Sequence, residues 1–216
     1  MDGNRRWARS RMLPEKAGHR QGVKNIQLIL EELHKLSIKF VTFYVFSAEN
    51  WSRSQDEVDS LFGLMREYID SNLEKFQNDK RFRFMIIGDI EKLPQDLQNK
   101  LLKLCDQTGK NSDAICVTLA INYGSRQEII RAVERAICSK KPCSIDDFSA
   151  LLYTGNVPDP DLIIRTGGCK RLSNFLLWQA AYAELYFTDE LWPDFNEKSL
   201  HIAINDYNHR IRNFGV

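Results

Sequence analysis

Turn-forming residues and arginines that could bind phosphate groups lie close together near the start of the sequence. Residues 2–7 read DGNRRW, and residues 18–22 read GHRQG. Gly and Asn tolerate the positive φ of tight turns, and such turns can present successive backbone N–H groups to an anion. The guanidinium groups of Arg5 and Arg6 suit phosphate, and His19 lies near a predicted helix start, where the helix dipole also favours an anion. A surface turn with solvated arginines is the alternative interpretation.

A second polar segment, SAENWSRS at residues 47–54, directly follows a predicted strand. In parallel α/β sheets, ligands bind just outside the carboxyl ends of the strands. A plain helix-entry loop explains Ser54 as an N-cap and Trp51 as a lid on the core. It does not explain Asn50 and Arg53, so the segment is a candidate part of a ligand site.

A third segment, RTGGCKRLSNF at residues 165–175, also follows a predicted strand. Arg165, Lys170 and Arg171 flank a Gly-Gly turn, and Ser173 is predicted to open a helix. Glycines, cations and a helix N-terminus together favour phosphate binding. The chain has neither GxxxxGK[ST] nor GxGxxG, which argues against a kinase or an ATPase.

A fourth segment, AELYFTDELWPDF at residues 183–195, is acidic and aromatic. Glu184 begins a predicted strand and is either a ligand for a hard cation or a surface charge. Asp2 and Glu184 are the acids nearest the cationic turns. Because Mg²⁺ is commonly bound by one or two carboxylates together with substrate phosphates, the pattern predicts a Mg²⁺-dependent site for more than one phosphate group.

These segments require a framework in which strands and helices alternate, and the apolar runs predict an α/β fold. Nearly continuous apolar character indicates strands buried on both faces of a central, mostly parallel sheet. The predicted strands are residues 39–46, 82–88, 114–122, 161–167 and 184–189. The predicted helices are residues 19–36, 55–78, 95–107, 125–139, one capped by Ser144 with Asp147, and 197–212.

The long predicted helix carries a broad stripe of large apolar side chains. Ser54 and Glu57 form a capping-box pattern at its start. At 1.5 Å per residue, two dozen residues span roughly 35 Å. The stripe contains Val58, Leu61, Phe62, Met65, Tyr68, Ile69, Leu73 and Phe76. It is interpreted either as core packing against the sheet or as one wall of an elongated apolar cavity.

Composition limits the class of protein. The 216 residues predict a single domain over 1–216, and a net charge of +1 does not favour a nucleic-acid partner. The five cysteines lack CxxC spacing and indicate free thiols in a reducing compartment. No apolar run reaches the length of a membrane span, and no signal peptide is seen, which together predict a cytoplasmic location.

The four segments, in this order and spacing, closely resemble the cis-prenyltransferase (isoprenyl transferase) family, of the bacterial undecaprenyl diphosphate synthase type. The resemblance covers essentially the whole chain. It implies repeated condensation of isopentenyl diphosphate onto an allylic starter, usually farnesyl diphosphate, with a cis double bond formed at each step. It also implies a single α/β domain, an apolar tunnel beside the sheet, a homodimer, peripheral membrane contact for product release, and a lipid-carrier product used in cell-wall synthesis.

The resemblance also assigns roles residue by residue. Asp2 is implied to be the catalytic aspartate and a Mg²⁺ ligand, and Glu184 a second Mg²⁺ ligand. Asn50 matches the residue assigned as proton acceptor. Because a neutral amide is a poor base, Asn50 is interpreted as an orienting group, with a diphosphate oxygen or Asp2 as the acceptor. The implied substrate-binding residues are Gly3, Asn4, Arg5, Arg6, Trp7, His19, Ser47, Ala48, Glu49, Trp51, Arg53, Arg165, Arg171, Leu172 and Ser173.

The chain departs from the family pattern at four places. Glu15 replaces a usual arginine, so either Lys16 or Arg11 substitutes for it or the affinity for the starter is reduced. Arg5 stands where Gly is common, and Lys170 stands where a metal ligand sometimes occurs. An apolar strand usually precedes the Met-Asp-Gly-Asn motif, and the first strand is therefore expected to be missing. A version extended upstream is expected to be more active and more stable.

Two other functions stay open at this point. The first is a non-catalytic accessory subunit of a heteromeric cis-prenyltransferase, although such subunits lack the motif Asp and arginines that this chain keeps. The second is a phosphate-binding module for an unknown ligand.

Overall fold

The computed structural model describes residues 1–109, 113–139 and 144–211. Its helices are α1 (Asn4–Ser10), α2 (Glu15–Lys35), α3 (Gln55–Asn78), α4 (Gln95–Thr108), α5 (Ser125–Ser139), α6 (Ile145–Leu151) and α7 (Glu197–His209). Its strands are β1 (Phe40–Ser47), β2 (Phe82–Ile87), β3 (Ile115–Tyr123), β4 (Leu162–Arg165) and β5 (Glu184–Phe187). Cys143 and the predicted last residue of the final helix, Arg212, lie outside the described residues.

The mixed α/β class is confirmed, and every described strand pairing is parallel. β3 lies between β1 and β2, with Phe40 opposite Cys116 and Phe82 opposite Ile115. β4 pairs with β5 in a separate two-stranded ladder, with Leu162 opposite Glu184. As the central strand, β3 is buried at eight of its nine positions, which explains its nearly uninterrupted apolar sequence.

The chain forms two compact units. The first unit contains Met1–Ile38, Asp159–Ser173 and the described residues from Gln179 onward, and it includes α1, α2, β4, β5 and α7. The second unit contains Lys39–Pro158 and Asn174–Trp178, with β1–β3 and α3–α6. Each unit therefore has its own parallel ladder. The expectation of one domain over 1–216 stays a prediction.

In the second unit, α3 and α4 pack together against the three-stranded sheet. The predicted N-cap is confirmed, because the Ser54 side chain accepts a hydrogen bond from the Glu57 backbone N–H. A buried core joins α3, α4 and the sheet, and it consists of Phe46, Val58, Phe62, Ile69, Leu93, Leu97, Leu101 and Ile121. Leu61 and Met65 pack against this core but are only partly buried. Core packing thus accounts for only part of the apolar stripe.

In the first unit, two glycines of GHRQG let the short helix α1 approach α2 closely. A Cβ at Gly18 would lie 2.0 Å from the backbone oxygen of Asn4. A Cβ at Gly22 would lie 2.3 Å from Asn4 Oδ1 and 2.9 Å from Trp192 Cδ1. These contacts leave no room for a side chain, so both glycines serve the packing of the Asp-Gly-Asn turn.

Two sequence-based expectations about helix starts are wrong. Residues 174–182 form turns and bends instead of a helix opened by Ser173. Ser173, Asn174 and Leu176 have φ values of +51°, +62° and +47°, which a right-handed helix does not allow. His19 is also not at a helix start, because α2 begins at Glu15.

Within the described residues, no helix is both long enough and apolar enough to cross a membrane.

Candidate active site

The Asp-Gly-Asn turn in the first unit is fixed through the backbone of Asp2. The Asp2 N–H donates to Thr166 Oγ1 at 3.0 Å, and Thr166 Oγ1 donates to the Asp2 carbonyl at 2.9 Å. The Trp192 N–H donates to the same carbonyl at 2.9 Å. Gly3 follows with φ +109° and is the N-cap of α1. The turn is therefore ordered by long-range contacts.

The carboxylate of Asp2 lies between two arginines. Arg165 donates to Asp2 Oδ2 at 3.1 Å, and Arg6 lies 3.4 Å from Oδ1. Partial burial acts to raise the pKa of this carboxyl group, but the Arg165 hydrogen bond and the charges of Arg6 and Arg165 outweigh it and lower the pKa. Asp2 is therefore ionised at neutral pH.

Arg165, at the carboxyl end of β4, joins the third segment to the first. Its second terminal nitrogen donates to Ser173 Oγ at 2.6 Å and to the Arg171 carbonyl. Its Nε is buried and makes no hydrogen bond to any described residue. A buried N–H donor on a cation is costly when it has no partner, so this group favours binding of an acceptor such as a phosphate oxygen.

Gly167 makes the approach of Arg6 possible. It has φ +85°, and a Cβ there would lie 2.5 Å from the Arg6 guanidinium and 3.2 Å from the Asp2 carbonyl. The Gly-Gly turn therefore serves both the left-handed backbone and the close contact with Asp2 and Arg6. The side chains of Lys170 and Arg171 are exposed, and Leu172 between Arg171 and Ser173 is partly buried.

The departure at Glu15 is accounted for by two ion pairs with α1. Glu15 Oε2 lies 2.6 Å from Arg5 Nε, and Oε1 lies 2.6 Å from an Arg9 terminal nitrogen. The hydrogen bond from Arg5, assisted by Arg9, lowers the pKa of Glu15 despite some desolvation. The acid therefore binds two arginines. Arg11, considered above as its substitute, instead pairs with Asp194 at 3.2 Å.

Trp7 and Asn4 are held by other contacts in this unit. The Trp7 indole N–H donates to Asp194 Oδ1 at 2.7 Å, and the Arg11 guanidinium stacks over the Trp7 ring at 4.3 Å. The Asn4 side chain donates to the Met1 carbonyl at 3.3 Å. His19 lies on α2 between the two glycines that contact Asn4. The first unit thus groups most of the first and third segments around Asp2.

Asp2 and Glu184 differ as candidate metal ligands. Asp2 is ionised, and its side chain is 39% exposed. It lies among cations that suit a diphosphate, so its carboxylate could serve as the one protein ligand of a Mg²⁺–diphosphate complex. Glu184 begins β5 as predicted, and its carboxylate accepts a hydrogen bond from Arg210 at 2.6 Å. In the described part of the chain, no three His, Cys, Asp or Glu side chains form a metal-binding group. A bound Mg²⁺ would thus depend on phosphate ligands.

The second segment forms a 3-10 turn, Ala48–Ser52, in the second unit. The side-chain amide oxygen of Asn50, Oδ1, accepts a hydrogen bond from the Ser47 backbone N–H at 3.0 Å, so this atom is used inside the turn. Arg53 donates a hydrogen bond to the Glu57 carboxylate at 2.7 Å. The engaged oxygen of Asn50 agrees with an orienting role through the amide NH₂ group.

Two asparagines absent from the sequence-based site hold this turn. Asn174 donates to Glu49 Oε1 at 2.8 Å and accepts from the Arg126 N–H at 2.8 Å. Asn122, at the end of β3, accepts from the Trp51 indole N–H at 2.8 Å. Each asparagine contacts a residue far away in sequence, which is why spacing did not reveal it.

Comparisons with known proteins identify the family of the chain. Residues 1–215 match the family model described as putative undecaprenyl diphosphate synthase. The isoprenyl transferase of Fusobacterium nucleatum is 48% identical over 216 residues, covering 100% of this chain and 93% of that protein. The isoprenyl transferase of Treponema denticola is 46% identical over 217 residues, covering 100% of this chain and 94% of that protein.

Two solved structures have the same fold. Lavandulyl diphosphate synthase from Lavandula x intermedia, in complex with dimethylallyl diphosphate, has a TM-score of 0.94 and 35% identity, covering 100% of this chain and 95% of that one. A probable undecaprenyl diphosphate synthase from Campylobacter jejuni has a TM-score of 0.83 and 39% identity, covering 91% and 92%. With the family matched from end to end, the chain belongs to the undecaprenyl diphosphate synthase family and is a cis-prenyltransferase.

Proposed function

We propose that the protein condenses isopentenyl diphosphate repeatedly onto an allylic diphosphate, with farnesyl diphosphate as the starter, and releases a long-chain, undecaprenyl-type diphosphate. The observation that carries the proposal is the position of Arg165, which binds both the Asp2 carboxylate and the Ser173 hydroxyl. The allylic ligand is supported by the dimethylallyl diphosphate bound in the lavandulyl diphosphate synthase structure.

Within the first unit, Arg165 contacts residues of two proposed diphosphate-binding groups, Asp2 beside the first and Ser173 in the second. Gly3, Asn4, Arg5, Arg6, Trp7 and His19 are proposed to hold the allylic diphosphate, and Arg165, Arg171, Leu172 and Ser173 the isopentenyl diphosphate. The contacts between Asp2, Arg6 and Arg165 support neighbouring diphosphates. Holding both reactants together supplies much of the rate enhancement of a two-substrate reaction.

The reaction requires charge stabilisation more than covalent chemistry from the protein. The C–O bond of the allylic diphosphate breaks and the diphosphate leaves with the electron pair, while the isopentenyl double bond forms the new C–C bond. Arg6 and the turn N–H groups are proposed to stabilise the leaving group. Mg²⁺, held by Asp2 and, as a further candidate, Glu184, would add Lewis-acid stabilisation. The resulting cation loses a proton to a diphosphate oxygen or to Asp2.

In the second unit, Ser47, Ala48, Glu49, Asn50, Trp51 and Arg53 are proposed to contact substrate. Partly buried apolar side chains beside the core of α3 are proposed to line the channel for the growing chain: Val45, Leu61, Met65, Ile86 and Leu119. Their incomplete burial supports this assignment, since a sealed core would cover them. A cytoplasmic location, release of the product at a membrane and a role in cell-wall synthesis belong to the same proposal.

The test is incorporation of labelled isopentenyl diphosphate onto farnesyl diphosphate with Mg²⁺, with the product mass measured. We expect the wild-type protein to make a long polyprenyl diphosphate. Asp2→Asn should lower kcat at least about 100-fold, because it removes the carboxylate from the leaving-group site while the backbone bonds of Asp2 keep the turn in place. Its melting temperature should stay near that of wild type.

Asp106→Asn, the same change at an exposed position of α4, is the matched control and should retain full activity. A folded wild-type protein that binds diphosphates without making product would overturn the proposal in favour of a binding module. Product formed only after addition of a second, different subunit would identify an accessory subunit.

A homodimer is also proposed, with the exposed apolar face of α5 as its interface. Ile130, Val133 and Ile137 recur at helical spacing on this face and are 59%, 37% and 70% exposed. Sedimentation velocity should give twice the 25.1 kDa chain mass for wild type. The double change of Ile130 and Ile137 to Lys should give a monomer, whereas Leu102→Lys, at an exposed position of α4, should not. A monomeric wild type would contradict the proposal.

A further inference from the structure

The amide side chain of Asn122 is buried, and both its oxygen and its nitrogen form hydrogen bonds. Asn122 is 6% exposed and has a left-handed backbone with φ +48°. Its oxygen accepts from the Trp51 indole N–H at 2.8 Å, and its NH₂ group donates to the Asp89 carbonyl at 2.6 Å. Asn tolerates left-handed φ better than most residues, and an amide supplies both an acceptor and a donor. Asn meets all three requirements of this position: a left-handed backbone, a side-chain acceptor and a side-chain donor.

The apolar contacts of Trp51 do not by themselves fix the angle of its indole ring. The indole meets the rings of Phe46 and Phe62 edge-on, with centroids 5.5 Å away in both cases. Edge-to-face ring contacts fix the angle of a ring less sharply than an N–H···O bond, which weakens steeply away from linearity. The ring is still 37% exposed. The bond to Asn122 therefore fixes the angle at which Trp51 presents its open surface.

We propose that Asn122 is a positioning residue for prenyl transfer, acting through the indole of Trp51. This inference rests on the proposed function, in which Trp51 contacts substrate. With the indole fixed, the hydrocarbon of the bound substrate rests against a ring of defined angle, and its reactive carbon keeps one alignment. Without the bond, the ring samples several angles, and fewer bound substrates are aligned for reaction.

The first experiment is Asn122→Gly, which removes the amide while Gly keeps the left-handed backbone without strain. We expect kcat with farnesyl diphosphate to fall about tenfold and KM to change less than threefold, because alignment is lost more than binding. Ser37→Gly is the matched control: Ser37 has φ +56° and is exposed at the end of α2. This control should have wild-type kinetics.

The second experiment separates positioning from a purely structural role. Asn122 also binds Asp89, so Asn122→Gly could reduce activity by loosening the end of β2. Trp51→Phe keeps an aromatic ring but removes the indole N–H, and Asn122→Gly is repeated in that background. We expect the second loss to be less than about threefold, because the bond that Asn122 supplies is already absent. An equal tenfold loss in both backgrounds would overturn the inference.

A spectroscopic readout tests the bond itself. The indole ¹⁵N–¹H resonance of Trp51, assigned by its disappearance in Trp51→Phe, should shift upfield in Asn122→Gly and stay in place in Ser37→Gly. An unshifted resonance would overturn the inference even if activity fell. Wild-type protein that forms no product would overturn the proposed function and this inference with it, whereas active wild type with additive variants would overturn the inference alone.

Discussion

At the residue scale, neighbouring arginines lower the pKa values of Asp2 and Glu15. Asp2 is ionised because Arg165 and Arg6 offset its partial burial, and Glu15 is ionised because it binds Arg5 and Arg9. The two acids are proposed to act oppositely. Asp2 stands where a metal–diphosphate complex needs a carboxylate, while Glu15 engages an arginine that would otherwise face the diphosphate.

The effect of Glu15 on starter binding is testable with a neutral isostere. Glu15→Gln removes the charge that binds Arg5, so Arg5 becomes more available to the allylic diphosphate. We expect KM for farnesyl diphosphate to fall about two- to fivefold at low salt, and less at high salt, because exposed ion pairs are weak and screened. Steady-state kinetics at two ionic strengths measure this effect.

Glu31→Gln makes the same change further along α2 and should leave KM unaltered. An unchanged or higher KM in Glu15→Gln would instead mean that Glu15 orients Arg5 productively or points away from the substrate. Kinetics of the two variants side by side decide between these outcomes.

At the element scale, the predictability of each segment depended on how local its determinants are. The strands and α3 were predicted within about two residues, because apolar runs and the Ser54 cap are local signals. α1 was missed, since seven residues carry no apolar stripe. The helix expected after Ser173 was wrong, because the left-handed φ of Ser173 and Asn174 depends on contacts such as those with Arg165 and Glu49.

The site residues follow the same rule. The DGNRR, SAENW and RTGG segments were visible because their residue types are chemically distinctive. Thr166, Asn122 and Asn174 were not identified, since each acts through hydrogen bonds to partners 33 to 164 residues away. Spacing along a single sequence contains no record of such pairs.

Replacement by Ala is expected to change stability in opposite directions at two glycines inside helices. Gly22→Ala places a Cβ 2.3 Å from Asn4 Oδ1 and 2.9 Å from Trp192 Cδ1, so both side chains must move, and stability should fall by about 1–3 kcal/mol. Gly63→Ala, in α3, meets nothing within 4 Å and should raise stability by about 0.5–1 kcal/mol through helix propensity. Urea unfolding measures both changes.

Prenyl transfer should also fall in Gly22→Ala, since Asn4 belongs to the proposed allylic diphosphate site. Equal stability changes for the two glycines would show that the contact between α1 and α2 is not tight.

At the scale of the whole molecule, carboxyl groups in both units have lowered pKa values. Hydrogen bonds from Lys35, Arg81 and Arg66 are the main causes at Glu32, Asp79 and Asp96, respectively. Because the pKa of each is lower in the folded state than in the unfolded chain, the ionised groups stabilise the fold above the ordinary values of 4.5 for Glu and 3.8 for Asp.

This stabilisation is lost as the pH falls through the lowered folded-state values. We expect the melting temperature to be nearly constant from about pH 7 to about pH 5 and to decrease below about pH 4. Thermal unfolding across this range, followed by circular dichroism, is the measurement. A melting temperature that held steady or rose down to about pH 3 would contradict the pKa directions.

The anchoring of the Asp-Gly-Asn turn also sets when activity can appear during folding. The contacts of Asp2 with Arg165 and Thr166 and of Trp7 with Asp194 close chain loops of 163, 164 and 187 residues. Loops of this length are slow to close and form after local structure. The groups proposed to act on the leaving diphosphate in residues 2–7 therefore cannot be positioned until residues 165–194 have folded. We expect the proposed activity to appear late in refolding, after the local helices and strands have formed.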